Sequence, residues 1–401
     1  MEPEPETMST TPEDALMSTY KRMDVAFVRG EGAWLWDAAG RRYLDALSGI
    51  AVAGLGHAHP KLAAALCEQA HQLWHTSNLY RIAHQEELGR RLVAHAGLER
   101  VFFCNSGAEA NEAAIKLARL YGRRRRLDLP TIVVMEGGFH GRTMATLSAT
   151  GNAKIQAGFE PLVQGFLRLP YGDLGAIEAA FASRRDVVAV LVEPVQGEGG
   201  IVVPPAGYLR GLRDLCTRNA ALLMLDEVQS GMCRTGTWFA FQHEDIVPDV
   251  MTLAKSLGNG FPIGACLAGG PAAEVLQPGT HGSTFGGNPL ATRVGMAVID
   301  ALEEAGQPAR AGELGRRMLA GFRARLAGLP GVHTRGLGLM LGIELDRPCA
   351  ELVGQALAAG ILINVTAERV VRLLPPLILS DRQADDIVEG VSALVRRFVA
   401  A

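Results

Sequence analysis

Lysine is scarce in this chain. Five of its 39 basic side chains are lysines: Lys21, Lys61, Lys116, Lys154 and Lys255. Net charge is nearly absent too, −3 over 401 residues, which excludes a general binder of nucleic acid or other polyanions. The run Arg123 to Arg126 is the one strong basic cluster, and a solvated loop after a helix accounts for it. Apolar runs such as Val187 to Val192 are too short to span a bilayer, and no charged-then-apolar leader opens the chain. The six cysteines form no C-x-x-C pair and lie mostly in apolar stretches, as reduced thiols of a cytoplasmic protein do. No G-x-G-x-x-G opens a helix after a strand, which argues against a dinucleotide dehydrogenase. Gly56-His57-Ala58-His59-Pro60 has no carboxylate or cysteine at ligand spacing and reads as a turn, so no metal is expected.

What is present is a large apolar fraction, 48%, enough for one large and one smaller domain. The acidic, Pro- and Thr-rich residues 1–18 are expected to form a mobile tail. Continuous apolar runs over Arg100–Cys104, Thr131–Met135, Val187–Glu193, Leu222–Asp226 and Ile263–Ala268 predict strands buried on both faces. Such strands belong to a mostly parallel sheet covered by helices, an α/β fold. Ligands of such sheets gather at the carboxyl ends of the strands. Ser106-Gly107-Ala108-Glu109 and Ser380-Asp381-Arg382-Gln383 predict capping boxes opening two helices, with Gly122 ending the first. Trp34–Leu47 predicts a hairpin with Gly40 in its turn, joined to the C-terminal part in a smaller domain. The expected division is 19–75 with 289–401 for the small domain and 76–288 for the large one.

Lys255 lies among small residues, about thirty positions after the strand-ending Asp226. An amine can condense with an aldehyde where arginine cannot, which suggests pyridoxal phosphate (PLP) as cofactor. Asn105-Ser106-Gly107-Ala108 follows a strand and opens a helix, a place where backbone N–H groups bind phosphate; a well-capped helix reads the same way. A carboxylate such as Asp226 can keep a pyridine nitrogen protonated, making the ring an electron sink, though a structural ion pair is the alternative. In Gly137-Gly138-Phe139-His140-Gly141-Arg142-Thr143, Phe139 could stack on a flat ring and Arg142 could fork onto a carboxylate.

Together these segments resemble the class III PLP-dependent aminotransferases of fold-type I, from about Tyr20 to the C-terminus. The resemblance rests on five motifs in order: N-S-G-A-E-A-N-E, G-G-F-H-G-R-T, E-P-V-Q-G-E-G-G, L-D-E-V-Q-S-G and L-A-K-S-L-G-N-G-F-P-I-G-A. It implies a large domain with a seven-stranded-type, mostly parallel sheet plus a smaller α+β domain. It implies that Lys255 carries the cofactor and shuttles a proton, and that Asp226 pairs with the pyridinium nitrogen. Gln229 would reach the phenolic oxygen, Phe139 and Val228 would sandwich the ring, and Ser106, Gly107 and Ala108 would hold the phosphate. Arg142 and Ser283 would contact substrate. Thr284 would reach the phosphate in a neighbouring subunit, implying a homodimer with shared sites. Glu198 and Arg372 resemble a pair in which Arg372 accepts the α-carboxylate of glutamate and Glu198 masks it otherwise. Within the class, the Y-L-D-A-L-S-G-I-A-V-A-G-L-G-H-A-H-P, H-G-S-T-F-G-G-N-P-L-A and V-R-L-L-P-P-L-I-L stretches are most similar to the branch acting on N2-acetylornithine, with 2-oxoglutarate as acceptor, in arginine biosynthesis. Succinylornithine, ornithine, 4-aminobutyrate and acyl-diaminopimelate donors share every catalytic motif. A non-catalytic PLP-binding protein would have no need to keep Lys255, Asp226 and Arg142 together.

Overall fold

The computed structural model describes residues 15–401, so nearly all of the tail expected over residues 1–18 lies outside the described residues. The largest element is a seven-stranded sheet. Its spatial order is Arg100–Cys104, Gly264–Ala268, Val250–Leu253, Leu222–Asp226, Val187–Val192, Thr131–Met135 and Phe166–Leu169. The last five run parallel. Gly264–Ala268 is antiparallel to both of its neighbours.

Four of the five predicted runs are buried throughout because helices cover both faces, whereas Arg100–Cys104, expected to be buried on both faces, is an edge strand with Arg100 exposed and Val101 and Phe102 half-buried. Ile132 and Val134 pack with Ala113, Ala114 and Leu117 of the helix Gly107–Arg124. The alternate residues Val133 and Met135 face a second cluster, with Leu209, Leu212 and Leu215 of the helix Tyr208–Arg218. Two sheet strands escaped the sequence reading. Phe166–Leu169 is half-buried and interrupted by Arg168, and Val250–Leu253 is only four residues long.

The first predicted capping box is only half made. Ser106 Oγ accepts from the Glu109 N–H at 3.2 Å, but the Glu109 carboxylate reaches past Ser106 to the Asn105 N–H. Gly122 is not the end of that helix, which continues to Arg124. A Cβ at Gly122 would lie 2.6 Å from Pro130, so close packing explains the glycine. The second box is reciprocal: Ser380 Oγ accepts from Gln383 N–H at 3.2 Å and Gln383 Oε1 from Ser380 N–H at 2.9 Å. It opens the helix Asp381–Ala400, whose buried face includes Ile387, Val391 and Leu394.

The hairpin Trp34–Asp37 and Arg42–Asp45 turns at Gly40, at φ +82°. Arg42–Asp45 also pairs, in parallel, with Ile361–Leu362, tying the two ends of the chain together. A separate antiparallel sheet has the order His333–Leu337, Met340–Glu344, Val370–Leu373, Asn364–Thr366. Arg372 sits on one of its inner strands, opposite Gly342 on one side and Asn364 on the other. Among the described residues no helix is long and apolar enough to cross a membrane.

Candidate active site

Asp226 ends a fully buried strand and is itself 4% exposed. Its Oδ2 accepts from Asn111 Nδ2 at 2.7 Å and lies 2.8 Å from His140 Nδ1. Its Oδ1 accepts from the Val228 N–H at 3.1 Å. A buried polar group is costly unless it is hydrogen-bonded, and here three partners reach the carboxylate. Asn111 is in turn oriented by Thr252 Oγ1, which donates to its Oδ1 at 2.8 Å. Asn111 stands one helical turn beyond Gly107, so the helix that opens at the cavity also reaches Asp226.

Lys255 follows the strand Val250–Leu253 and starts a short 3-10 turn with φ +45°, an unusual conformation for a side-chain-bearing residue. Burial lowers the pKa of its amine; nearby Arg372 lowers it too, while Glu198, Asp226 and Glu193 oppose the shift. Glu193 is buried behind Phe139, accepting from the Phe139 N–H at 2.9 Å and the Gly197 N–H at 3.0 Å. Burial pushes its carboxyl up, against the opposing pull of His140.

These elements enclose a cavity of about 400 Å³, within the range of small-molecule sites. Lys255, Asp226, Ser106, Gly107, Ala108, Phe139, Arg142, Val228 and Gln229 all line it. Gly107 must be small, because a Cβ there would meet Val228 Cγ1 at 2.8 Å. Arg142 is exposed, with its guanidinium 5.7 Å from the Phe139 ring centre.

The other predicted site residues stand outside this wall. Arg372 is buried; its Nη1 donates to Glu198 Oε1 at 2.6 Å and its Nε to Asn364 Oδ1 at 2.8 Å. Glu198 lines a neighbouring cavity that shares Phe139 with the first. Ser283 and Thr284 line a third, which shares Asn105. Asn105 Nδ2 donates to Ser283 Oγ at 3.3 Å. His57 pairs with Asp45 at 2.8 Å, and no cluster of three His, Cys, Asp or Glu side chains among the described residues is placed to hold a metal.

Three residues of this site were not singled out from sequence: Asn111, His140 and Glu193. Asn111 carried a usable signal, its helical spacing from Gly107. His140 and Glu193 lay inside motifs, but only folding brings them beside Asp226.

The class III aminotransferase family model matches residues 16–395. The chain belongs to the class III aminotransferases. It is 59% identical to an acetylornithine aminotransferase of Nitrosomonas europaea over 96% of this chain and 98% of that one. It is 56% identical to acetylornithine aminotransferase 1 of Bordetella bronchiseptica, with 96% and 98% covered. Among solved structures, it resembles an ornithine aminotransferase from Toxoplasma gondii with a TM-score of 0.92 at 35% identity, covering 96% of this chain and 93% of that one. It also resembles the N-acetylornithine aminotransferase of Stenotrophomonas maltophilia, with a TM-score of 0.83 at 38% identity and coverage of 95% and 98%.

The cofactor of this class III aminotransferase is pyridoxal phosphate, and the cavity fits it. The helix N-terminus at Ser106, Gly107 and Ala108 offers free N–H groups to a phosphate. Gln229 Oε1 is buried without a hydrogen-bond partner in the chain, as a side chain waiting for a polar ligand is. Phe139 and Val228 give the cavity apolar walls.

Proposed function

We propose that this chain transfers the terminal amino group of N2-acetylornithine to 2-oxoglutarate, giving N-acetylglutamate 5-semialdehyde and glutamate in arginine biosynthesis. The observation that carries this reading is the relatives' name, acetylornithine aminotransferase, at 59% and 56% identity over nearly the whole length of both chains.

The bound cofactor supplies an aldehyde for the amino group and a ring that takes up the electron pair left when a proton departs. The chain's own residues do the rest. Lys255 holds the cofactor and carries the proton; an amine of lowered pKa is neutral more of the time and can act as a base. Asp226, oriented by hydrogen bonds with Asn111, His140 and the Val228 N–H, holds a proton on the ring nitrogen. Ser106, Gly107 and Ala108 hold the phosphate, Phe139 and Val228 the ring faces, and Gln229 the phenolic oxygen. Arg142 and Ser283 bind substrate, while Arg372 takes the α-carboxylate of glutamate and Glu198 covers it for the other donor.

Thr284 serves the cofactor of a second copy, so the active unit is a homodimer. The separate cavity of Thr284 supports this, as do the exposed apolar side chains of Trp74, Tyr80 and Phe285. The cytoplasm is the compartment, supported by five buried, unpaired cysteines.

A donor panel with 2-oxoglutarate, following glutamate formation, tests the assignment. N2-acetylornithine should give the highest kcat/KM. A higher value for ornithine, 4-aminobutyrate, succinylornithine or an acyl-diaminopimelate would replace it with that donor.

A further inference from the structure

Arg372 has two side-chain partners of different character. One is Glu198: anionic, with a 34% exposed side chain, and lining a cavity of about 560 Å³. The other is Asn364: neutral, and fixed on the strand next to Arg372 in the same sheet. Thr366, on the same short strand as Asn364, donates to the Glu198 backbone carbonyl at 2.6 Å and stands 3.5 Å from its Oε2. One three-residue strand thus touches both halves of the ion pair.

The two partners can do different things. Glu198 has open space beside it, so its carboxylate can leave. The Asn364 backbone is held by the ladder to Val370–Leu373, which keeps its side chain beside Arg372. Its side-chain carbonyl accepts from Nε while Nη1 donates to Glu198, so Nη1 is the nitrogen released for another carboxylate once Glu198 departs. A planar guanidinium offers paired donors to a carboxylate only when its plane is held. The charge at position 364 then decides whether Arg372 is ever free. A neutral amide leaves a full positive charge once Glu198 departs. A carboxylate there would keep the cation neutralised in both states.

We propose that Asn364 is a specificity-determining positioning residue: its neutral carbonyl aims Arg372 without neutralising it, so that the same arginine can bind a dicarboxylate or be covered by Glu198. This rests on the reading of Arg372 as the carboxylate seat.

The test is calorimetric binding of glutarate, a non-reacting dicarboxylate, to the PLP-loaded enzyme, together with single-turnover rates of each half-reaction. Asn364→Asp should raise the glutarate Kd ~10-fold or more and slow the glutamate half-reaction similarly, leaving the acetylornithine half-reaction within ~3-fold. Asn364→Ala removes the acceptor but adds no charge, and should raise the Kd much less. Equal weakening by both variants would make the residue merely structural and overturn the proposal. If Asn364→Asp does not fold, Glu198→Gln with Asn364→Asp keeps the charge around Arg372 as it was. That pair should bind glutarate ~10-fold more weakly than Glu198→Gln alone, and equal binding would overturn the proposal. Arg372→Gln separates the two readings. If it leaves glutarate binding intact, the carboxylate seat itself fails and takes this inference with it. If it weakens binding while Asn364→Asp does not, only the role of Asn364 fails.

Discussion

His140 Nδ1 stands 2.8 Å from Asp226 Oδ2, with the two side chains 0% and 4% exposed. A carboxylate oxygen accepts hydrogen bonds, so the contact is made with the proton on Nδ1. The bond to a charge in a dry site is worth more than a surface contact. Asp226→Asn should still bind the cofactor, because Lys255 and the helix N-terminus remain. Its turnover should fall by orders of magnitude, on the scale of ~4 kcal/mol or more. His140→Phe removes one donor but leaves the carboxylate and should cost ~10- to 100-fold. Turnover with the cofactor absorbance checked in parallel measures both, and near-normal activity of Asp226→Asn would show the residue to be misassigned.

Lys255 is one of five lysines, and the one that lines the cavity with Asp226. Borohydride treatment of the yellow enzyme should bleach its absorbance band and leave the cofactor fixed to a single peptide. Peptide mapping should find the adduct on Lys255. An adduct on Lys116 or Lys154 would move the catalytic amine elsewhere.

Much of this site was legible because the strand ends are marked by chemistry. The strand Arg100–Cys104, buried at its carboxyl end, is followed directly by the cavity-lining Asn105, and the fully buried strand Leu222–Asp226 ends in a residue that lines the cavity. The strand Phe166–Leu169 was not legible, since a half-buried edge carrying Arg168 lacks a continuous apolar pattern. His140 and Asn111 are 29 positions apart and meet at Asp226, 86 and 115 positions away, and no local pattern encodes that meeting. The link from Arg372 to Asn364 is nearer in sequence, eight positions, yet it depends on an antiparallel pairing of a three-residue strand. Strands that short give a pattern too brief to read.

Thr284 lines a cavity distinct from that of Lys255. If it serves a second copy, each active site combines residues of two chains. Mixing Lys255→Ala with Thr284→Ala subunits should then restore activity that neither variant has alone. The mixed dimer holds one site with both lesions and one with neither. Absence of recovery, with subunit exchange verified, would mean that each chain completes its own site.

Glu227 neighbours Asp226 but faces away from chemistry, accepting from the Phe241 N–H at 3.0 Å and from Ser230 Oγ. Burial pushes its carboxyl up to about 7, from 4.5. The folded state therefore binds this proton more tightly than the unfolded chain, and Glu227 costs stability as pH rises from ~4.5 through 7. Glu227→Gln keeps an acceptor and removes the ionisation. Melting temperatures of variant and wild type should diverge in favour of the variant between pH 5 and pH 8. A constant difference across that range would show that Glu227 does not titrate there.

Glu198 and Arg372 are in contact in this structure, and the consequence of removing Glu198 differs between substrates. One pocket must take a dicarboxylate and also a donor whose reacting end is an amine on a methylene. A permanently bare Arg372 would attract the α-carboxylate of glutamate. To the amine-ended donor it would present a buried, unpaired cation, which is costly. On the proposed switch, Glu198 removes that cost when the pair is closed, and glutamate replaces one carboxylate with another when it opens. Glu198→Ala should therefore favour the glutamate half-reaction and weaken the acetylornithine half-reaction, changing their ratio by ~10- to 100-fold. Single-turnover rates with each donor read this ratio directly. Equal losses in both directions would reduce Glu198 to a support for its own loop, because only a residue that distinguishes the two substrates can change one rate without the other.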